Sequence, residues 1–373
     1  MIVHPASSRA TMSDPPTLAT PPPVRVHADT ASWQAWRTHR WYAILGLMLL
    51  LTCGTIIGCL QFGAHGMTVA QVWSAVTFST SGNEDVSQVI VWDVRFPRIL
   101  MGLFVGASLA MTGAALQALV RNPLADPYVL GISSGAALGA TLGLALGLGS
   151  IVGGIGLPFC AFIGGGLTII LVYGIAASQG QLPMHQLLLA GVIVNAVCSA
   201  LMMFVTSILN PTALYRVVLW LMGTLSPPST SALIAIGLCM LSAMVLLVRQ
   251  SQALNLLAVG EDAARSLGVE SGRVQQTVFL VSALLTGVVV SVSGMIGFVG
   301  MVVPHLVRIL WGADHRLLLP VSALAGGMLL MVADTVARTV VAPAEIPVGV
   351  ITALIGGPFF IYLLVTRKYR FVS

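Results

Sequence analysis

The chain has 373 residues, 57% of them hydrophobic and only 8% charged, with a net charge of +5 and a mean hydropathy of +0.96. A soluble domain carries about 25% charged residues, so a soluble enzyme is excluded and no nucleic-acid partner is expected. From Pro127 to Tyr215 there is no Asp, Glu, Lys or Arg, which only lipid-embedded helices tolerate.

Residues 1–40 are rich in Pro, Thr, Ser and Ala and have no apolar period, which predicts a disordered tail. A secretory signal would place its apolar core nearer the start, so the first apolar run is expected to stay as a span. Apolar length and charge breaks predict ten spans, at 41–63, 99–119, 127–149, 151–177, 183–209, 231–248, 274–293, 294–310, 317–341 and 347–365. The fold class is therefore all-α and polytopic, with a transmembrane domain over 41–366 and a short tail, 367–373. The run from Val274 to Val307 lacks charge and exceeds one span, and Gly294, Gly297 and Gly300 offer the turn that divides it. Each span should be about as long as a bilayer is thick, roughly 20 residues. Their Gly- and Ala-rich interiors suit close helix packing.

With the N-terminus inside, 13 of the 17 Lys and Arg residues fall on the inner side. Only Arg95, Arg98, Arg216 and Arg338 fall outside. The asymmetry supports this orientation and places both tails in the cytoplasm. A short echo links MTGAALQALVRNP to VSGMIGFVGMVVPHLVR, and two five-span halves would form an inverted repeat.

The longest hydrophilic inner loop, 250–273, contains LNLLAVGEDAARSLGVESG. Leu254 and Leu257 belong to an apolar stretch that Gly260 breaks. Glu261 and Asp262 then open a short helix, complementing its dipole. Arg265 and Leu267 follow, and Gly268 stands where a left-handed residue ends it. Two short helices with exposed Leu and Ala faces predict a docking element for a partner, since an acidic first turn suits lipid headgroups poorly. On the other side, Arg95, Arg98 and Arg338 sit at span ends with Glu345 nearby and Asp334 one turn before Arg338. Either these arginines snorkel or they dock an acidic partner.

Enzyme chemistry finds little support. Gly131–Gly135, GISSG, matches G-x-S-x-G formally, but a nucleophile elbow needs a preceding strand and downstream acid and His; small-residue packing is the expected role. His185 and His305 are isolated. The five cysteines, Cys53, Cys59, Cys160, Cys198 and Cys239, lack metal-ligand spacing and are expected to be small packing residues. The one lysine, Lys368, precedes Tyr369, so a phosphate-binding P-loop is excluded.

Together these segments resemble the FecCD family of ABC importer permeases for iron chelates, haem and cobalamin. The resemblance lies in RFPR from Arg95, GASLAMTGAALQ, NPLADPYVLGISSGAALGA, LLLAGV, LNLLAVGEDAARSLGV, GFVGMVVPHLVR, ADHRLLLP and EIPVGVITALIGGPFFIYLL. It implies the type II importer fold, a homodimer lining one path, two separate ATPase subunits and a periplasmic binding protein. No cofactor is implied on this chain; ATP and Mg belong to the ATPase. The loop matching Leu254 to Val269 would seat in the ATPase, and Arg95, Arg98 and Arg338 would meet glutamates of the binding protein. Asn122, Pro123 and Leu124, with Met184 and His185, match the inner gate. At Pro183–Met184–His185 the chain departs from the small, hydroxylated cobalamin-type pattern.

Asn195, Gly356 and Gly357, on the fifth and tenth spans, are expected to line the path. Arg216 either steers an anionic cargo or holds its loop down. The cargo expected is a ferric siderophore or haem, with cobalamin as the alternative, crossing a bacterial inner membrane. A reading from another class is a stand-alone secondary carrier, which would want acids along its path; Asp334 is the one intramembrane acid the spans offer.

Overall fold

The computed structural model describes residues 30–63, 66–77, 86–148, 156–177, 184–227 and 229–365, and among them there is no strand. The chain divides into a short unit, Met1–Tyr42, and a second, Ala43–Ser373. In the first, residues 30–42 are the opening of helix α1 (Thr30–Gln61), so the tail expected over 1–40 is helical from Thr30 onward. The physical reason is that no proline occurs between Pro23 and Pro97, so nothing stops the helix of the first span from extending backwards. Residues 1–29 and the expected tail 367–373 lie outside the described residues.

After α1 come two short helices, α2 (Val69–Thr77) and α3 (Val86–Val89), and a π-helical turn, Ile90–Arg95, that runs into α4 (Phe96–Val120). A 3-10 turn, Pro127–Leu130, leads to α5 (Ile132–Ala145), then α6 (Gly156–Ala177) and α7 (Met184–Ser207). A surface helix, α8 (Pro211–Leu221), precedes α9 (Thr230–Arg249), α10 (Ser251–Val259) and α11 (Glu261–Ser266). The chain continues through α12 (Ser271–Ser293), α13 (Val299–Trp311), α14 (His315–Thr339) and α15 (Val348–Val365). A long helix, two short helices, a long helix, a half-helix and two further helices occur in that order from α1 to α7 and, after α8, from α9 to α15.

All ten expected segments are helical, but they are not equally long. Seven are long and apolar enough to cross a bilayer; Ile132–Ala145, Val299–Trp311 and Val348–Leu363 are shorter. At about 1.5 Å per residue, α5 and α13 cover roughly 20 Å of a core about 30 Å thick. The expectation of full spans over 127–149 and 294–310 is therefore corrected: the chain spends the first residues of each in an irregular turn. Both turns contain a left-handed residue, Gly131 (φ 78°) and Phe298 (φ 69°). The surface helix α8 escaped the span reading, although Asn210 caps it, accepting from Ala213 N–H at 2.8 Å, with Pro211 at its first position.

Helix α4 is the hub. Every residue from Val105 to Leu119 is buried, so it is apolar all round rather than amphipathic. It crosses α14 where a Cβ on Gly106 would lie 2.2 Å from the Gly326 carbonyl oxygen; only glycine permits that approach. Helices α5 and α6 meet along Gly135, Gly139 and Gly143 against Cys160, Gly164 and Thr168, the small-xxx-small pattern of membrane helix pairs. GISSG is thus a packing element, with Ser133 buried and the Ser134 hydroxyl donating to Gly131 C=O. All five cysteines are free; Cys53 and Cys239 are exposed on the single chain rather than packed inside, because α1 and α9 lie at its periphery.

Candidate functional site

Helix α4 has 25 residues, about 37 Å at the usual rise, and its two ends hold the expected arginines on one side and the α10–α11 pair with Asn122–Leu124 on the other. At the last turn stands the pair α10–α11. Gly260 leaves helical geometry between them (φ 158°, ψ 147°), Glu261 and Asp262 open α11, and Gly268 ends it at φ 83°. The predicted helix–break–helix is therefore present, and Arg265 pairs with Glu261 at 2.8 Å. One expectation is corrected. Leu254 and Leu257 do not form an exposed face; they are buried, as is Ala264. Their three-residue spacing turns both toward the helices behind, leaving Val259 (79% exposed) and Leu267 (66%) as the large outward apolar residues, with Ala258 beside them.

Beside α10 lies the turn that follows α4. Arg121 is left-handed (φ 53°), and its Nε donates to the Leu257 carbonyl at 3.0 Å. The Asn122 side chain accepts from Leu124 N–H at 2.9 Å, which fixes the expected gate segment as a tight turn with Asn122 and Leu124 exposed. Asp126 caps the 3-10 turn by accepting from Tyr128 N–H at 2.8 Å. Burial pushes its carboxyl up to about 6, the Tyr128 hydrogen bond only partly opposing this. The Tyr128 hydroxyl then joins the two half-helix turns, donating to Ile296 C=O (2.9 Å) and accepting from Ile296 N–H (2.8 Å). Within a bilayer these backbone groups need such a partner. Met184 and His185 open α7; their side chains and residues 182–183 lie outside the described residues.

A second polar knot ties α10 to the α13–α14 turn. The Asn255 amide donates to Asp314 Oδ1 at 2.8 Å, and its oxygen accepts from His315 N–H at 2.8 Å. Asp314 also caps α14 and pairs with Arg316. Burial works against ionising Asp314, but hydrogen bonds from Arg316 and Asn255 outweigh it and hold its carboxyl down to about 2. Sequence reasoning missed Asn255, Asp314 and Tyr128. The available signals were a capping Asp before α14 and one aromatic in a Gly/Ala run.

At the first turn of α4, Arg95, Arg98 and Arg338 converge, but not as an exposed patch. Arg95 is buried and donates to the Leu60 carbonyl. Arg98 donates from Nε to Asp334 (3.1 Å) and from Nη1 and Nη2 to Glu345 (3.2 and 2.9 Å). Arg338, also buried, donates from Nε to Asp334 at 2.9 Å. The expected free docking face is thus corrected to a five-residue ion cluster whose exposed member is Glu345. Three cations at a helix-packed end need internal counter-charges before they can be desolvated. The cluster still carries one net positive charge.

The expected path residues are not joined by contacts. Asn195 is exposed on α7, Arg216 on α8, and Gly357 has open space where a side chain would stand. Gly356 faces inward, where a Cβ would lie 2.4 Å from the Phe298 Cβ; it seats Phe298 and does not line an open surface.

Half-helices meeting at a polar junction, the α10–α11 pair at one end and an ion cluster at the other describe a polytopic membrane protein. Residues 48–366 match the FecCD transport family, and the chain belongs to it. Among its relatives, the hemin transport system permease protein HmuU of Yersinia pestis is 40% identical over 334 residues, spanning 87% of this chain and 96% of that one. The cobalamin import system permease protein BtuC of Halobacterium salinarum is 43% identical over 303 residues, 80% of each chain. A solved metal-chelate type ABC transporter in an inward-facing conformation superposes with a TM-score of 0.75 at 34% identity, covering 87% of this chain and 99% of that one.

Proposed function

We propose that this chain is the permease subunit of an ATP-driven importer for an iron chelate, either a ferric siderophore or haem. Two copies would form the path between their α7 and α15 faces, in a bacterial inner membrane with both termini cytoplasmic. Two ATPase subunits, carrying the ATP and Mg, would bind the α10–α11 pairs, and a periplasmic binding protein would meet the arginine end. The observation that carries this reading is the α10–α11 tip. Val259 and Leu267 are apolar and exposed on short helices that lie outside the spans, while Leu254, Leu257 and Arg121 hold the pair firmly to the permease.

The iron-chelate cargo is supported by the hemin relative, which aligns over almost its whole length, and by the departure from the cobalamin-type pattern at Pro183–Met184–His185. Cobalamin is the second reading, favoured by the 43% identity to the archaeal relative. Proteoliposomes containing the permease, its ATPase and its binding protein decide between them. ATP-dependent uptake of haem or a ferric siderophore, but not cobalamin, is expected. Uptake at the same rate without the ATPase would make the chain a secondary carrier instead.

A further inference from the structure

Helix α10 is bolted on one side to the start of α14, just past the half-helix α13, and on the other to the cap of α4, ahead of the turn into α5. On one side, Asn255 fills the N-terminal end of α14. Its Nδ2 donates to Asp314 Oδ1 (2.8 Å), and its Oδ1 accepts from His315 N–H (2.8 Å) and faces His315 Nδ1 at 2.7 Å. A carboxamide oxygen has no proton, so the His315 ring donates from Nδ1. Asp314 and His315 lie in the connection that ends α13 and begins α14. On the other side, Leu257 C=O, in the last turn of α10 where carbonyls lack helical partners, accepts from Arg121 Nε at 3.0 Å. Arg121 is the left-handed cap of α4 and immediately precedes Asn122–Leu124 and the turn into α5. Between the bolts, Leu254 and Leu257 are buried against the helices behind.

The outward residues Val259 and Leu267 therefore belong to an element hydrogen-bonded to the end of α4, which leads into α5, and to the start of α14, which follows α13. Those two half-helices are in turn joined through Tyr128 and Ile296. We infer that Asn255 and Arg121 are positioning residues that convert a partner's push on α10–α11 into simultaneous movement of both half-helices. A packing contact alone would transmit compression but not pull; two directional hydrogen-bonded bolts transmit both. This rests on the proposed ATPase partner.

The test uses proteoliposomes holding the permease with its ATPase and binding protein, reading cargo taken up per ATP hydrolysed. Asn255→Asp sets a carboxylate against Asp314. Arg121→Gly removes the guanidinium while suiting the left-handed backbone at φ 53°, so it spares the fold. In each variant the ATPase is expected to stay bound and hydrolyse ATP, while uptake per ATP falls by about tenfold or more. Combining Asn255→Asp with Asp314→Asn restores an amide–carboxylate pair and should recover part of the ratio. An unchanged ratio in either assembled variant overturns the inference. If Asn255→Asp fails to assemble, Arg121→Gly alone decides it. Failure of the unmodified permease to retain any ATPase sinks the proposed function instead, and that is seen before either variant is made.

Discussion

Asp334 holds two guanidinium groups at once, those of Arg98 and Arg338, with its side chain 3% exposed. Replacing it by Asn leaves two cations short of a counter-charge in a desolvated site. Stability should drop by about 3–5 kcal/mol, read as the melting temperature of the detergent-solubilised protein. Glu345 is half exposed, so Glu345→Gln should cost no more than about 1 kcal/mol. It also releases Arg98, and association with an acidic binding protein should speed up at low salt. An unchanged rate would confine the cluster to a structural role. Asp126 gives a pH signature. Its folded pKa, about 6, lies above the value near 3.8 expected when unfolded, so the folded state binds more protons between the two. Stability therefore falls as pH rises from about 4 through 6. Asp126→Asn, which still caps the turn, should flatten that decline in melting curves. Of these contacts, only Asp334–Arg338 was legible beforehand, as a pair one helical turn apart. Arg98 finds Asp334 and Glu345 across 236 and 247 residues, a distance no local pattern encodes.

Among the elements, α10–α11 shows what sequence can state and what it leaves open. The helix break at Gly260, the acidic first turn and the left-handed stop at Gly268 are local backbone properties, and all three were readable. Which leucines point outward depends on what lies behind α10, so Leu254 and Leu257 could not be separated from Leu267 without it. Leu267→Glu should reduce ATPase recovery on co-purification while membrane insertion stays intact. Full recovery would remove this face from the docking site. Leu254→Ala, by contrast, should destabilise the permease itself by about 2–5 kcal/mol. The half-helices make the same point at greater length. Composition marks 127–149 and 294–310 as apolar, and Gly294 and Gly297 mark the turn before α13, but the turn at Gly131 and the joining of the two turns became visible only through Tyr128 and Ile296.

At the scale of the whole molecule, α7 and α15 leave apolar faces uncovered in the single chain, including Leu189, Val192, Ile193, Leu354 and Ile355. A second copy would cover part of them and enclose a path. Cysteines at Asn195 and Gly357, in a background lacking the five natural ones, should cross-link between subunits. A persistent monomer by mass, with no cross-link at either position, would end the homodimer reading. Gly356→Cys is expected to disrupt instead, since it would drive a side chain into Phe298.

The sequence by itself determined the lipid setting, the ten helical segments, the helix–break–helix of α10–α11 and the family resemblance. Hydropathy, charge asymmetry and turn chemistry act over a few residues, or sum over many, and neither needs a partner surface. Tertiary structure decided how far each helix reaches, which leucines anchor and which face out, and that Arg98 and Arg338 share internal counter-charges while Arg95 is buried beside them. It alone joined Asn255 to Asp314 and Tyr128 to Ile296. Those outcomes depend on which distant side chain arrives at hydrogen-bonding distance, and that is set by helix packing at sites such as Gly106 and Gly326, not by neighbours in the chain.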